Sequence, residues 1–239
     1  VYPITPLGKL LSAIIALIGI GFIALPTGII SSSFIAKVRS EEMAQKLKNH
    51  METVGNAVGL NVKVVITDGT QPVGRGIGPT LEAIDILKVL KNETDAPMDL
   101  MERSLLLAGE LIELSGKVEK GKGTETAKEV LTSGQAYEKF LAICKAQGRF
   151  SKPVLAPYKI EIRAEKSGSL KRIDNRKIAK LAKLSGAPQS KSAGILLNVH
   201  LNDKIEKDDL LFTLFAESQG ELNYALEYKN SHNDIITIK

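Results

Sequence analysis

The sequence predicts an α/β protein with an α+β C-terminal domain, preceded by a single N-terminal helix of the transmembrane type. Three observations lead to this prediction. Residues 7–35 carry only one charged side chain, that of Lys9. After them, segments with helical periodicity surround a β-branched run at 62–66 and a glycine-rich loop. Beyond residue 157, short segments of strand composition predominate.

As a helix, residues 7–35 are long enough to cross a bilayer, whose hydrocarbon core takes about 20 apolar residues. The run exceeds the apolar core of a signal peptide, although an uncleaved signal or a buried core helix is the alternative. Four basic residues flank the C-terminal end of the run, against Lys9 alone at its other end: Lys37, Arg39, Lys46 and Lys48. This bias predicts a membrane-anchored protein whose C-terminal part lies in the cytoplasm.

Composition excludes several classes of function. The net charge of +5 is spread along the 239 residues without a Lys/Arg block, and aromatic residues make up 5% with no Trp. A nucleic-acid partner is therefore not expected. The single cysteine, Cys144, excludes an intrachain disulfide, and no Cys/His cluster has metal-ligand spacing. We expect neither a metal site nor a cofactor.

A first helix is predicted from Ser40, its N-cap, to Gly59, with apolar residues recurring on one face: Leu47, Met51, Val54 and Val58. The β-branched run at 62–66 predicts a strand. It leads into a glycine-rich turn at 68–78, after which Pro79 suits the first turn of the next helix. The order of strand, glycine loop and helix predicts an α/β arrangement.

Further elements follow along the chain. Glycines separate three predicted helices: 98–115, 124–133 and 135–147. Residues 150–157 contain two prolines and no periodicity, which predicts a domain boundary there. Asp174 is the predicted N-cap of a helix that ends near Gly186. Five segments around it read as strands: 158–164, 168–173, 194–200, 210–216 and 234–238. The predicted domains are 1–35, 36–152 and 153–239.

The glycine-rich loop has two interpretations. Gly74, Gly76 and Gly78 free the backbone to approach an anion, Arg75 adds positive charge, and a helix N-terminus lies next to them. The spacing, however, fits neither a Walker A loop nor G-x-G-x-x-G, and a Lys-Ser/Thr pair is absent. The same glycines would also make a tight turn that packs strand against helix. The sequence favours the turn.

Other reactive side chains have no partner at catalytic spacing. His50, His200 and His232 lack a Ser, Cys or carboxylate pair that would make a triad, so we interpret them as incidental. Cys144 falls on the apolar side of a helix and is predicted to lie in the core. Six basic residues cluster at the short helix after 173, where a solvated face is favoured over contact with nucleic acid or acidic lipid: Lys171, Arg172, Arg176, Lys177, Lys180 and Lys183.

Residues 1–9, VYPITPLGK, resemble the stretch that follows the selectivity filter of tetrameric potassium channels. The next helix, with Gly19, Gly21 and the run ALPTG at 24–28, is similar to their pore-lining inner helix. A filter loop of the T-V-G-Y-G type does not occur in the chain. The resemblance therefore implies a membrane-anchored fusion remnant or a channel fragment rather than a conducting pore.

From residue 36 onward the chain resembles the thymidine phosphorylase family, most closely its branch related to AMP phosphorylases. The resemblance rests mainly on residues 65–83, VITDGTQPVGRGIGPTLEA. Four shorter stretches support it: 146–148, 173–176, 184–188 and 221–226. The resemblance implies phosphorolysis, in which phosphate attacks the anomeric carbon of a nucleoside and thymine or uracil leaves. Nucleoside and phosphate are the implied partners, with phosphate as co-substrate. The family is cytoplasmic, and a homo-oligomer is left open.

The family places its phosphate and base ligands upstream of what corresponds to residue 36. No catalytic residue is therefore assigned to this chain, and we expect it to be inactive alone. The resemblance places six loop residues near the active-site cleft: Asp68, Gln71, Gly74, Arg75, Gly76 and Gly78. In some relatives the matching loop binds a monovalent cation, at positions that are Val73, Gly76 and Asp85 here. Residues 158–239 resemble a hammerhead-like module with a structural role.

Overall fold

The computed structural model describes residues 40–239. Its helices are α1 Ser40–Ala57, α2 Pro79–Leu90, α3 Met98–Leu114, α4 Gly123–Thr132, α5 Gln135–Gln147, α6 Asn175–Leu184 and α7 Gln219–Asn230. Its strands are β1 Gly76–Ile77, β2 Tyr158–Arg163, β3 Gly168–Ile173, β4 Gly194–Leu197, β5 Lys204–Ile205, β6 Leu210–Ala216 and β7 Ile236–Ile238. The mixed α/β class predicted from the sequence is confirmed for these residues.

The predicted membrane helix at 7–35 and the channel-like stretches within it lie outside the described residues. Among the helices from residue 40 onward, none combines the length and the apolar character needed to span a bilayer.

Two small antiparallel sheets organise the C-terminal half. The four-stranded sheet has the order β1-β4-β6-β2, and the three-stranded sheet has the order β5-β3-β7. In the larger sheet, Tyr158 lies opposite Ala216, and Gly194 lies opposite Phe215. Strand β1 comes from the glycine-rich loop and pairs with β4, with Gly76 opposite Leu196. The loop is thereby built into the C-terminal sheet, and the domain limits at 152/153 stay a prediction.

The main core lies between the two sheets and the helices α6 and α7. Its most buried side chains are Leu170, Ile178, Leu181, Ile195, Phe212 and Leu214. Alternating strand residues and one stripe of α6 supply them, as expected for a sheet covered by amphipathic helices. A second, smaller cluster around Val89, Ala96 and Leu131 joins the N-terminal helices.

Most predicted elements are present with ends displaced by a few residues. Pro79 begins α2, as its fixed φ and missing N–H suit the first helical position. Asp174 caps α6, because its side chain accepts a hydrogen bond from the N–H of Lys177 at 3.1 Å. The predicted first helix is α1, whose first residue is Ser40.

One predicted strand does not form in the described residues, and three elements were not predicted. Residues 62–66 form no strand, because no other described segment pairs with them. Helix α7 was not predicted, although Ser218 and Glu221 form its capping box. Ser-x-x-Glu is a sequence signal for a helix start, so α7 could have been found. The two-residue strands β1 and β5 carry no periodicity and were also not predicted.

Candidate functional site

A buried carboxylate from the following helix holds the glycine-rich loop. Asp85, on α2, is 4% exposed. Its Oδ2 accepts hydrogen bonds from the backbone N–H groups of Arg75 and Gly76, each at 2.7 Å. Hydrogen bonds to a carboxylate are charge-assisted and therefore stronger than neutral ones. Asp85 thus fixes the loop against α2.

Two further carboxylates bind backbone amides that flank the pair held by Asp85. The N–H of Gly74 donates to Asp99 Oδ2 at 2.9 Å, and the N–H of Gly78 donates to Glu82 Oε1 at 3.1 Å. Burial raises the pKa of the Glu82 carboxyl above its ordinary value. The hydrogen bond from Gly78 opposes this shift, and the nearby Asp85 carboxylate adds to it.

The glycines themselves are needed for close packing. Gly78 has a φ of 133°, and a Cβ there would lie 2.4 Å from the carbonyl oxygen of Ala193. A Cβ at Gly76 would lie 2.4 Å from the carbonyl carbon of Leu81. Because the loop amides are already bound by carboxylates, an incoming phosphate would meet negative charge there rather than free donors. This geometry favours the tight-turn interpretation over a phosphate cradle.

A cleft of about 340 Å³ lies between the start of this loop and α3. Its walls carry loop residues Asp68, Gln71 and Val73, and α3 residues Asp99, Glu102 and Arg103. The lining is almost equally polar and apolar: it contains three carboxylates beside one guanidinium, together with Ile66, Pro72 and Leu106. We call it the loop–α3 cleft.

Three side-chain contacts hold the loop segment that lines this cleft. Arg103 Nη2 donates to the carbonyl oxygen of Asp68 at 2.6 Å, and Asn175 Nδ2 donates to that of Gly69 at 2.9 Å. Gln71 Oε1 accepts from the N–H of Leu201 at 2.8 Å. Arg103 Nη1 and Asn175 Oδ1 are buried without a hydrogen-bond partner among the described residues. The loop is therefore tied both to α3 and to the C-terminal module.

Comparison with known proteins finds one matching domain family and several similar full-length proteins. Residues 169–235 match the pyrimidine nucleoside phosphorylase C-terminal domain. The chain is 51% identical over 203 residues to a protein of Legionella pneumophila (strain Corby) named "putative thymidine phosphorylase". It is 49% identical over 204 residues to a protein with the same name from Hahella chejuensis (strain KCTC 2396). These matches support the resemblance of this chain to the thymidine phosphorylase family.

The phosphorylase matches cover most of this chain but a smaller part of each relative. They span 85% of the chain, 39% of the Legionella protein and 40% of the Hahella protein. The chain thus spans about two fifths of the length of these relatives. The matches give no support to the potassium-channel resemblance of the N-terminal residues.

The six loop residues that the phosphorylase resemblance singled out fall into two groups. Asp68 and Gln71 line the loop–α3 cleft. The others lie in the carboxylate-bound turn: Gly74, Arg75, Gly76 and Gly78. The Arg75 side chain extends away from the turn, and its Nη2 donates to the carbonyl oxygen of Asp95 at 2.8 Å. The location of these six residues near an active-site cleft stays a prediction.

The cation positions carried over from relatives are Val73, Gly76 and Asp85. Oδ2 of Asp85 already accepts two N–H groups, so the carboxylate acts here as an acceptor for the loop. In the part of the chain from residue 40 onward, no group of three or more His, Cys, Asp or Glu could hold a metal ion.

The remaining sequence candidates are dispersed. His50 is exposed, and His232 stacks on Tyr228 with ring centroids 4.0 Å apart. The prediction of a core position for Cys144 is wrong, since this side chain is only half-buried on a helix without buried residues. Members of the basic cluster make intramolecular contacts: Lys177 with Asp234, Arg172 with Asp174, and Lys180 with the ring of Tyr228.

Four residues of the site were not singled out from the sequence: Glu82, Asp99, Arg103 and Asn175. Asp99 and Arg103 are one helical turn apart near the start of a predicted helix, a spacing at which opposite charges are common on any helix surface. Asn175 lies in the stretch 173–176, which supports the phosphorylase resemblance. The resemblance did not indicate that Asn175 contacts Gly69. The partners of Asp99, Arg103 and Asn175 are at least 25 residues away in sequence, and the sequence alone therefore held no signal for the cleft.

Proposed function

We propose that this chain is the C-terminal part of a pyrimidine nucleoside phosphorylase that acts on thymidine. In this reaction phosphate displaces thymine and forms 2-deoxyribose 1-phosphate, which makes the enzyme a pentosyltransferase. The observation that carries the proposal is the 51% identity over 203 residues to a relative named for this activity. The domain match at 169–235 supports it independently.

The geometry limits what the described residues contribute. Phosphorolysis needs donors that bind phosphate and groups that stabilise charge on the departing base. The loop amides that look suited to phosphate are bound by Asp85, Asp99 and Glu82. We therefore infer that phosphate and base are bound by parts of a family-length enzyme outside residues 40–239. The described residues would position one wall of the site.

A thymine-release assay tests this proposal. The purified chain, mixed with thymidine and phosphate, is expected to release no thymine above the rate without protein. The Legionella relative, which is expected to release thymine under the same conditions, is the positive control. Turnover by this chain alone would contradict the inferred division of the site. Failure of the relative to cleave thymidine would overturn the proposed activity.

Membrane attachment through residues 7–35 is a separate proposal that rests on their sequence alone. The expected result is that the full chain floats with lipid vesicles, whereas a variant with Leu17→Arg and Ile20→Arg, which places charge inside the apolar run, stays in the aqueous fraction. Equal flotation of both proteins would contradict it. Light scattering on the same samples gives the oligomeric state.

A further inference from the structure

Strand β2 forms one edge of the four-stranded sheet, and no strand within residues 40–239 pairs with its outer side. It runs for six residues, and its pairing with β6 is regular from Tyr158 to Ile162. In an antiparallel pair, alternate backbone N–H and C=O groups of an edge strand point away from its neighbour. The free side of β2 is therefore a template for an added strand.

The two faces of β2 differ in chemistry. Successive side chains point to opposite faces, so Tyr158, Ile160 and Ile162 share the inner face. Ile162 is 7% exposed in the main core, Ile160 is half-buried, and Tyr158 is 42% exposed. The inner face is thus apolar, but it is only partly covered toward the start of the strand. The outer face carries three exposed charges of alternating sign: Lys159, Glu161 and Arg163.

The charges beside this edge can take a further partner. Glu161 forms an ion pair with Arg163 on its own strand, and the two side chains are 44% and 52% exposed. Such exposed pairs contribute little to stability and are readily rearranged. Lys159 forms no ion pair within the described part of the chain. A neighbouring strand could therefore pair with Lys159 and Glu161 without breaking a buried contact.

Pairing of β2 with β2 of a second copy is self-complementary in one register. When the twofold axis passes through Ile160, Lys159 lies opposite Glu161 of the second copy, and Tyr158 lies opposite Ile162. Directly opposite residues share a face, so opposite charges meet outside and apolar side chains meet inside. An axis through Glu161 would instead place Lys159 opposite Arg163 and Glu161 opposite itself, and both pairs are repulsive.

A second register with opposite charges is disfavoured by the shape of the strand. An axis through Ile162 would place Glu161 opposite Arg163. The pairing of β2 with β6 is irregular between Ile162 and Arg163, and such an irregularity bends the strand and interrupts its ladder. Half of that segment would also lie beyond Arg163, where β2 ends. The axis through Ile160 keeps all pairs from 158 to 162 in the regular part.

We propose that β2 is an interface between two copies of this chain, paired antiparallel about Ile160 into one continuous eight-stranded sheet. The partner is a second copy, because Lys159 and Glu161 meet opposite charges when β2 pairs with itself. The contact would also cover the exposed apolar surface of Tyr158. A single strand edge is a small interface, so the association is expected to be weak. The proposal does not depend on thymidine cleavage.

Reversal of single charges tests the interface. Sedimentation of the full chain, in a mild detergent that keeps the apolar residues 7–35 in solution, should give a dimer with a dissociation constant below about 100 µM. Glu161→Lys and Lys159→Glu each turn two symmetric attractive pairs into repulsive ones. Each variant alone is expected to dimerise at least about tenfold more weakly. Both positions are exposed, so the melting temperature should change by less than about 2 °C.

Two combinations of these variants should restore the dimer. An equimolar mixture of the two single variants brings lysines opposite glutamates at both symmetric positions. The chain with both substitutions exchanges the two charges and is again complementary to itself. Both are expected to associate within about threefold of the wild type. The matched control is Lys171→Glu, at an exposed position on the middle strand of the other sheet, which should leave the affinity within about threefold.

Disulfide formation tests the register. In a Cys144→Ser background, a chain with Lys159→Cys is mixed with a chain that carries Glu161→Cys. The Cβ atoms of directly opposite residues lie about 4.5–5.5 Å apart, whereas diagonal neighbours lie about 7–8 Å apart. A disulfide needs the shorter separation. The mixed disulfide is therefore expected to exceed either self-disulfide at least about fivefold.

The opposite outcomes are clear. A wild-type chain that stays monomeric up to about 500 µM overturns the proposal. A dimer that tolerates both single reversals overturns it too, because such a dimer uses another surface. Failure of the mixture to recover the affinity, or equal yields of the mixed and self-disulfides, overturns the pairing about Ile160. Failure of the Legionella relative to cleave thymidine would refute the proposed function and leave this interface intact.

Discussion

Replacing Asp85 with alanine is the sharpest test of how the loop is held. The substitution removes one carboxylate oxygen that accepts two hydrogen bonds of 2.7 Å, from the N–H groups of Arg75 and Gly76. The N–H of Gly76 is buried, so it cannot turn to bulk water when its partner is lost. An unsatisfied buried donor costs about 1–3 kcal/mol, and hydrogen bonds to charged groups lie at the upper end. We expect Asp85→Ala to lower the free energy of unfolding by about 3–5 kcal/mol.

Urea unfolding followed by circular dichroism measures this loss. Asp85→Asn keeps a carbonyl oxygen that can accept, so it is expected to cost about 1–2 kcal/mol. The matched control is Glu125→Ala, since Glu125 forms an exposed pair with Lys122 at 3.2 Å, and its loss should cost less than about 0.5 kcal/mol. Equal stabilities of Asp85→Ala and Glu125→Ala would refute the reasoning that the carboxylate organises the loop.

Three further outcomes are expected. In urea unfolding, Gly78→Ala should lower the free energy of unfolding by about 2–4 kcal/mol, because the new Cβ would lie 2.4 Å from the carbonyl oxygen of Ala193. The control is Gly116→Ala, which is also at positive φ but has open space around it. This substitution should lower the free energy of unfolding by about 1 kcal/mol. A similar cost for both would refute the packing argument. Ser218→Ala removes the capping box of α7 and should lower the free energy of unfolding by about 1 kcal/mol. Ser218→Thr keeps a hydroxyl at the cap and should be about as stable as the wild type. Equal losses of stability in the two variants would contradict a capping role. The raised pKa of Glu82 means that its contribution to stability is present below pH 4.5 and is lost as the pH rises through the folded-state value. Glu82→Gln should therefore gain stability relative to wild type as the pH rises above 4.5, and a stability difference independent of pH would contradict the burial of this carboxyl.

Elements whose ends depend on neighbouring residues could be predicted from the sequence. Pro79 and Asp174 act on their own helices, and their local chemistry fixes where those helices begin. Residues 62–66 show the limit of such reasoning. Their β-branched composition is a real strand signal, but a strand needs a partner that local sequence does not supply. The lack of a pairing partner among the described residues was not foreseen.

The candidate site shows the same limit. Glycine spacing correctly marked 74–78 as a place of close backbone approach, because a Cβ at Gly76 or Gly78 would lie 2.4 Å from a backbone atom of another segment. The group that binds the N–H of Gly74 is Asp99, which is 25 residues away in sequence. The cleft contacts span longer distances still, since Asn175 and Gly69 are 106 residues apart. No periodicity or motif encodes such pairs.

The C-terminal module has a mechanical role in the geometry of the loop–α3 cleft. Strand β1 pairs with β4, and the N–H of Leu197 donates to the carbonyl oxygen of Arg75 at 2.8 Å. The N–H of Leu201 reaches the Gln71 side chain, which itself lines the cleft. Strand β4 lies in the middle of its sheet and Leu197 is buried, so the hydrogen bond to Arg75 is anchored in the packed core. The C-terminal module would in this way set the position of a cleft wall, because both ends of the loop are hydrogen-bonded to it.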